Sequence, residues 1–528
     1  MSPHSHRGAD QVLFNSNVFL FVYLPVVLVI FHLLRPRTDG RWAMGWLAAA
    51  SLFFYGYWDI RFLPLLAGSI TVNYLLARAI GPDRRKSVFI ASLVFNLGLL
   101  AFFKYANFFV DNVEALTGFE IAMRQIVLPI GISFFTFTQI AFLVDRRQGK
   151  AAQPGIVNYT LFVTFFPHLI AGPILHHREM MSQFESPEGR KWNGGAFNAG
   201  LFLLAVGLVK KVVIADSVGA FAAARFARVA AGEQLEAMVA WLTALAYHLQ
   251  IYFDFSAYCE MAMGLALLFG IRFPANFDSP YQARSIVDFW RRWHMTLSRF
   301  LRDYLYVPLG GNRHGEGQRL ANLMIVMLLG GLWHGAAWTF VLWGGLHGLY
   351  LIVNHAWTRS GLKLPWSWLA LVLTNLAVIV AWVPFRADSL ATAASLYHSM
   401  LFLGDTGLPL EMAQVLARFG VTVDNVHFFA ENSRMEFYTG IVWILGAGTI
   451  ALFAPSALRL LAFQPIATDQ ETLEAGWAER ARSRPKPFPR RRGLTFTTTL
   501  ACITGLLLFV GVRLINGAPA SEFLYFQF

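Results

Sequence analysis

Two histidines stand where an ionisable side chain is hardest to accommodate. His334 lies in LGGLWHGAAW, inside a long apolar block, and His294 lies in FWRRWHMTLSRFLRDY just upstream. Ionisable groups at membrane depth are rare and costly, and by default they mark a polar pathway or a reaction site. A desolvated imidazole stays neutral at about pH 7, the form that accepts a proton from an alcohol. In acyl transfer that base would deprotonate a hydroxyl as it attacks a thioester or ester carbonyl. Direct attack by the ring to give an acyl-histidine is the alternative. Gly330, Gly331 and Gly335 around His334 would either let helices pack closely or leave room for a substrate.

From Ser285 to Asn312 the chain reads SIVDFWRRWHMTLSRFLRDYLYVPLGGN, and helical projection divides it sharply. Phe289, Trp290, Trp293, His294, Leu297, Phe300, Leu301, Tyr304 and Leu305 share one arc; Asp288, Arg291, Arg292, Arg299, Arg302 and Asp303 share the other. This predicts an amphipathic helix at the cytoplasmic face, with arginines at the lipid headgroups. It leaves His294 unexplained, because that ring points with the aromatics. His248, His347 and His355 lie in apolar blocks and read as hydrogen-bonded core residues; His176, His177 and His314 lie in polar loops. Asp254, in QIYFDFSAY, is expected either to orient a histidine or to line a polar path. Gly310 to Gly315 is a glycine-rich basic turn, a weak anion-site signal on its own. There is no Walker-type loop, no G-x-S-x-G elbow and no H-E-x-x-H helix.

The elements that must position these residues are apolar. Of 528 residues, 56% are hydrophobic and 14% charged, against about 25% charged in an ordinary soluble domain. The apolar residues come in blocks long enough to cross a bilayer, which excludes most soluble enzymes. The expected fold is all-α: a polytopic membrane protein of roughly 11 to 13 transmembrane or re-entrant helices plus the cytoplasmic amphipathic helix. The blocks are Asn17–Leu34, Trp42–Trp58, Phe62–Ile80, Val88–Val110, Ile126–Val144, Ala196–Ala215, Met238–Ile271, Leu320–Ala356, Trp366–Phe385, Phe437–Phe463 and Leu494–Leu514. Met238–Ile271 and Leu320–Ala356 are each long enough for one tilted helix or two shorter ones. Tyr159–Leu175 is interrupted by Pro167, Gly172 and Pro173, so a re-entrant segment is expected there.

Basic clusters at Arg35/Arg37/Arg41, Arg84-Arg85-Lys86 and Arg146-Arg147 alternate with the blocks and place the N-terminus outside. Residues 1–11 are expected to be an extension or a start-site error. Residues 12–515 form a single membrane-embedded domain, with 387–435 an outward-facing loop and 464–493 a basic cytoplasmic loop. Residues 516–528 form an outward-facing tail. The net charge of +12 is explained by cytoplasmic retention of Lys and Arg, so no nucleic-acid partner is expected. Cys259 and Cys502 lie far apart in apolar segments and support neither a disulfide framework nor a zinc site.

LFNSNVFLFVYLP from Leu13, LPIGISFFTFTQIAFLVD from Leu128, HLIAGPI from His168, YFDFSAYCEMAMG from Tyr252, FWRRWHMTLSRFLRDYLYVPLGGNR from Phe289 and GGLWHGAAWTFVLWGGLHG from Gly330 together carry a specific likeness. The chain resembles the membrane-bound O-acyltransferase superfamily, in its bacterial alginate O-acetyltransferase branch. The resemblance implies that His334 is the catalytic residue and that His294 is the second motif position. It implies an acetyl group taken from a cytoplasmic thioester donor, acetyl-CoA first, with no permanently bound cofactor. It further implies a bacterial inner-membrane location, transfer to hydroxyls of an exported polysaccharide, and periplasmic acetyltransferase proteins as partners. Alginate is the first expectation, cellulose or another glycan the second. Rivals from other classes are a transporter or channel using His and Asp as a proton relay, and an export-complex scaffold. A transporter's repeated halves with matching broken helices would show two breaks, and only Pro167 to Pro173 shows one. A scaffold would leave both histidines without a role.

Overall fold

A computed structural model describes residues 13–36, 40–82, 86–185, 192–362, 364–401, 408–420, 426–427, 431–461, 498–516 and 523–524. Those residues are helical or irregular, apart from a two-residue parallel pairing of Leu408–Pro409 with Val426–His427. Among them, six helices are long and apolar enough to cross a membrane: Ile60–Ala79, Lys86–Thr117, Ala237–Leu268, Ser367–Arg386, Arg434–Phe453 and Thr498–Ile515. Most of these expose apolar side chains outward, as Val94, Phe102, Val442 and Leu506 do. In a bilayer such surfaces face lipid, while each helix satisfies its own backbone. The protein is a multi-pass membrane protein.

Ala237–Leu268 differs from the others, because its apolar window is wholly buried. It is the axis of the fold, and the helical stretch over 194–230 packs along it. A Cβ at Gly200 would meet the carbonyl oxygen of Gly264 at 2.7 Å, and one at Gly207 would meet that of Ala257 at 2.7 Å. Small residues are what let two backbones approach this closely without water to drive them together. Deep in the same contact, Lys211 pairs with Asp254 at 2.7 Å and with Asp216 at 2.9 Å. Asp254 also accepts the backbone N–H of Leu524 at 2.9 Å. Asp254 therefore holds a lysine and the C-terminal segment rather than orienting a histidine. A buried carboxylate needs an opposite charge and hydrogen bonds, and Lys211 supplies both.

The two long apolar blocks resolve differently. Met238–Ile271 is one continuous helix, whereas Leu320–Ala356 is two, Gly315–His334 and Trp338–Ser360. The break falls at Gly335 and Ala337, both in extended backbone. The Pro167 region is broken as the sequence predicts: Ile156–Thr164 ends at Phe165, Phe166–Leu169 forms one turn, and the chain runs irregular and buried to Leu175. Its freed backbone groups find side chains. The Phe166 N–H donates to Ser51 at 3.2 Å, and the Ile174 N–H donates to the Thr296 hydroxyl at 3.0 Å. Irregular backbone is tolerated at depth only under such satisfaction.

The segment from Ser285 is not one amphipathic helix. It forms Ile286–Trp290 and Met295–Leu301, separated by a turn centred on His294, and then a wider-wound stretch, Arg302–Tyr306. Phe289, Trp293, Leu297, Phe300 and Leu301 are buried, as their arc requires. Arg299 leaves the polar arc and is buried against Glu179. Within 387–435 the chain is not loop throughout, since Leu390–Leu401 is a helix with Ala393, Leu396 and Met400 packed inward. Residues 1–11 and 464–493 lie outside the described residues, as does the tail except 516, 523 and 524.

Candidate active site

His334 is the last residue of its helix and 4% exposed. A helix end leaves carbonyls without intrahelical partners, and in an apolar interior these need donors. Two consecutive residues of Lys86–Thr117 supply them. The Lys104 ammonium donates to the carbonyls of Trp333 and His334, the latter at 3.2 Å, and to the Ser133 hydroxyl at 3.2 Å. The Tyr105 hydroxyl donates to the Leu332 carbonyl at 2.7 Å. Lys104 and Tyr105 both end a π-helical turn, Ala101–Tyr105, inside that long helix. Such a turn inserts one residue into the α-helical register, and π-bulges are frequent at functional sites. Around the imidazole stand Trp333, Trp343 and Phe385, with ring centroids 4.9, 5.1 and 5.2 Å away.

The His294 ring is fully buried, 6.4 Å centroid to centroid from His334. Its backbone sits at φ +43°, the left-handed region. For an L-residue that conformation costs about 1–2 kcal/mol, so surrounding contacts must hold it. Asn276 does so with both of its oxygens. Its backbone carbonyl accepts the Met295 N–H at 3.0 Å. Its side-chain oxygen accepts the Thr296 N–H at 3.2 Å and the Thr296 hydroxyl at 2.9 Å, and lies 3.1 Å from His294 Nδ1. Phe255 of the central helix closes one side of the ring, edge-on at 4.8 Å. The turn is what carries His294 off the amphipathic segment and into the interior. Two buried imidazoles from separate elements thus share one enclosure, where neutral rings can accept or relay a proton during group transfer.

The sequence pattern of the membrane-bound O-acyltransferase (MBOAT) family matches residues 97–383. The chain belongs to this family. The matched span contains Lys104, Asn276, His294 and His334. Among its relatives, the peptidoglycan O-acetyltransferase of Helicobacter pylori is 42% identical over 75% of this chain and 81% of its own length. The probable alginate O-acetylase AlgI of Pseudomonas aeruginosa is 42% identical over 74% of this chain and 75% of its own. The corresponding protein of Pseudomonas putida is 37% identical over 98% of this chain and its entire length. MBOAT membership makes this chain a membrane-bound acyltransferase.

In this MBOAT protein Gly331 and Gly335 beside His334 serve packing. A Cβ at Gly331 would collide with the Phe340 carbonyl, and one at Gly335 with the Phe340 ring. A Cβ at Gly330 would make only an ordinary 3.4 Å contact with Leu301. Gly331→Ala is therefore expected to destabilise the helical hairpin by about 1–3 kcal/mol or more, the cost of overpacking against backbone that cannot yield. Gly330→Ala is expected to be near neutral. Thermal midpoints of the two purified variants in detergent, read by size-exclusion fluorescence, check the contrast.

Of the three histidines expected in the core, His248 and His347 are buried there and His355 is only half-buried; two others belong to a second polar cluster. His248 stacks on Tyr281 at 3.6 Å, and His347 Nδ1 accepts the Trp290 indole N–H at 3.3 Å. The cluster, not singled out in the sequence, gathers His176, His177, Asp145 and Tyr304. His177 Nδ1 lies 3.1 Å from Asp145, whose carboxylate also accepts the Tyr304 hydroxyl at 3.0 Å. Beside it, the Arg299 guanidinium is paired with Glu179 and donates to the Ile174 carbonyl. Burial, then the nearby Arg299 charge, pushes the His176 imidazole down to about 3, so it stays neutral at cellular pH. The signal is the His176-His177 doublet directly after a broken apolar segment, which brings it beside Asp145 near the end of Ile132–Arg147. Read locally, the doublet is an ordinary polar loop.

Proposed function

We propose that the chain takes an acetyl group from a cytoplasmic thioester, acetyl-CoA, and passes it across the bacterial inner membrane for O-acetylation of an exported polysaccharide, alginate first. The observation that carries this reading is the pair of buried imidazoles, 6.4 Å apart, inside the MBOAT-matched span. His334 is the catalytic base: its ring takes the hydroxyl proton as the oxygen attacks the thioester carbonyl. The new C–O bond forms, the C–S bond breaks, and the proton goes to the departing thiolate. His294 assists from the cytoplasmic side. No resident cofactor is required. Sidedness follows the basic clusters, with 464–493 cytoplasmic and 387–435 and 516–528 outside. Periplasmic acetyltransferase proteins receive the group and complete its transfer to the polymer.

The relatives support this substrate class by their names, two of them being probable alginate O-acetylases. A second glycan has a specific observation in its favour, because the peptidoglycan O-acetyltransferase is as similar, at 42% identity. Exported polymer and cell wall from a deletion strain, analysed for ester content and sugar identity, decide between them. The expected result is an alginate that is still exported but has lost its acetyl esters, restored by the plasmid-borne gene. Unchanged esters in both polymers would sink the proposal.

A further inference from the structure

We infer that Asn276 is a positioning residue that holds His294 in one neutral tautomer, with the proton on Nδ1 and the accepting lone pair on Nε2. The inference rests on the proposed role of the two histidines and adds a residue to it.

The assignment follows from what each neighbour of the Asn276 side chain is able to do. A backbone N–H only donates, so the side-chain atom 3.2 Å from the Thr296 nitrogen must be the amide oxygen. The Thr296 hydroxyl donates to the same atom at 2.9 Å, because its own oxygen already accepts the Ile174 N–H at 3.0 Å. The other end of the amide, its NH2, donates to the Cys259 sulfur at 3.2 Å. The amide is thus fixed at both ends and cannot present a donor to the ring. His294 Nδ1, 3.1 Å from that oxygen, must then carry a hydrogen. A neutral imidazole has one N–H, so Nε2 is its acceptor.

Two features make this more than incidental packing. Asn276 is 1% exposed and sits in the irregular stretch that follows the central helix, so its amide is held by the fold and not by solvent. The chain from Ile174 through Thr296 and Asn276 to His294 also runs from the broken Pro167 segment to the reacting enclosure. That broken segment therefore acts on the ring through three hydrogen bonds. The hydroxyl proton that the His334 ring takes up is relayed to His294 Nε2, making the imidazolium with Nδ1–H still donated to Asn276, and its onward passage to the departing thiolate restores the starting tautomer. The other titratable or charged groups placed around it are His334, 6.4 Å away centroid to centroid, Lys104 on the His334 carbonyl, Cys259 behind Asn276, and Arg299, which is paired with Glu179 further along the same segment.

The test compares full-length Asn276→Ala, Asn276→Leu and Asn276→Asp in the deletion strain, with His334→Ala as the inactive reference. Polymer O-acetyl content is divided by the amount of protein in the membrane. Ala and Leu, which cannot accept the Nδ1–H, are expected to lower it about tenfold or more. Asp accepts as Asn does and is expected to stay within about threefold of wild type. Its carboxylate favours the imidazolium, so the acid limb of thiol release from acetyl-CoA by inverted vesicles moves to higher pH. Wild-type acetylation in Asn276→Ala overturns the inference, as does an Asp variant as defective as Ala or one whose pH profile is unmoved. If His334→Ala itself acetylates normally, the proposed function has failed instead.

Discussion

Replacing His334 with Ala is expected to abolish polymer acetylation while the protein still accumulates in the membrane. Loss of a general base alone costs about 10²–10⁴-fold in rate, which takes ester content below detection. The imidazole is enclosed by Trp333, Trp343 and Phe385, and its helix end is anchored through backbone carbonyls. Truncation therefore leaves a small cavity and an intact helix end. His334→Gln fills more of that space and is expected to be equally inactive, which separates lost chemistry from lost packing. Ester assay of purified polymer, with immunoblots of membranes for abundance, gives the result. Normal acetylation in either variant removes His334 from the mechanism.

Lys104→Met is expected to be nearly as severe, for a different reason. The ammonium is the shared donor for the Trp333 and His334 carbonyls, and a thioether cannot replace it. A buried carbonyl left without a donor costs about 1–3 kcal/mol. Removing the ammonium also relieves its own burial, so the net loss of stability is smaller than the sum, about 2 kcal/mol. The larger effect is on position. The helix end that presents His334 is free to unwind, and a misplacement of about 1 Å costs on the order of 10²-fold in rate. The expected outcome is a lower thermal midpoint in detergent together with at least about a tenfold loss of ester content per protein. Lys104→Arg, which retains donors and charge, is expected to recover part of both. An unchanged midpoint with normal acetylation would show that the helix end holds without this clamp.

These expectations draw on two kinds of information. Composition and block length are enough for an all-α membrane fold, because a bilayer admits few ways to satisfy backbone groups. The broken Pro167 segment and the burial of Phe289, Trp293 and Leu297 follow from proline chemistry and from periodicity, which report local geometry directly. His294 and His334 stand out because a polar group in an apolar setting is visible one residue at a time. Lys104, in AFFKYANFF, carries the same signal inside the Val88–Val110 block.

Partnership is what only the tertiary structure decided. Lys104 meets carbonyls 229 and 230 residues away, Ile174 meets Thr296, and Asp254 meets Lys211 instead of a histidine. The left-handed turn at His294 is equally silent in the sequence, since periodicity predicts an unbroken helix through it. Hydropathy states which residues must leave water or face lipid. It does not state which of the many groups buried with them will supply a hydrogen bond, because that choice depends on distances fixed only when separate helices pack.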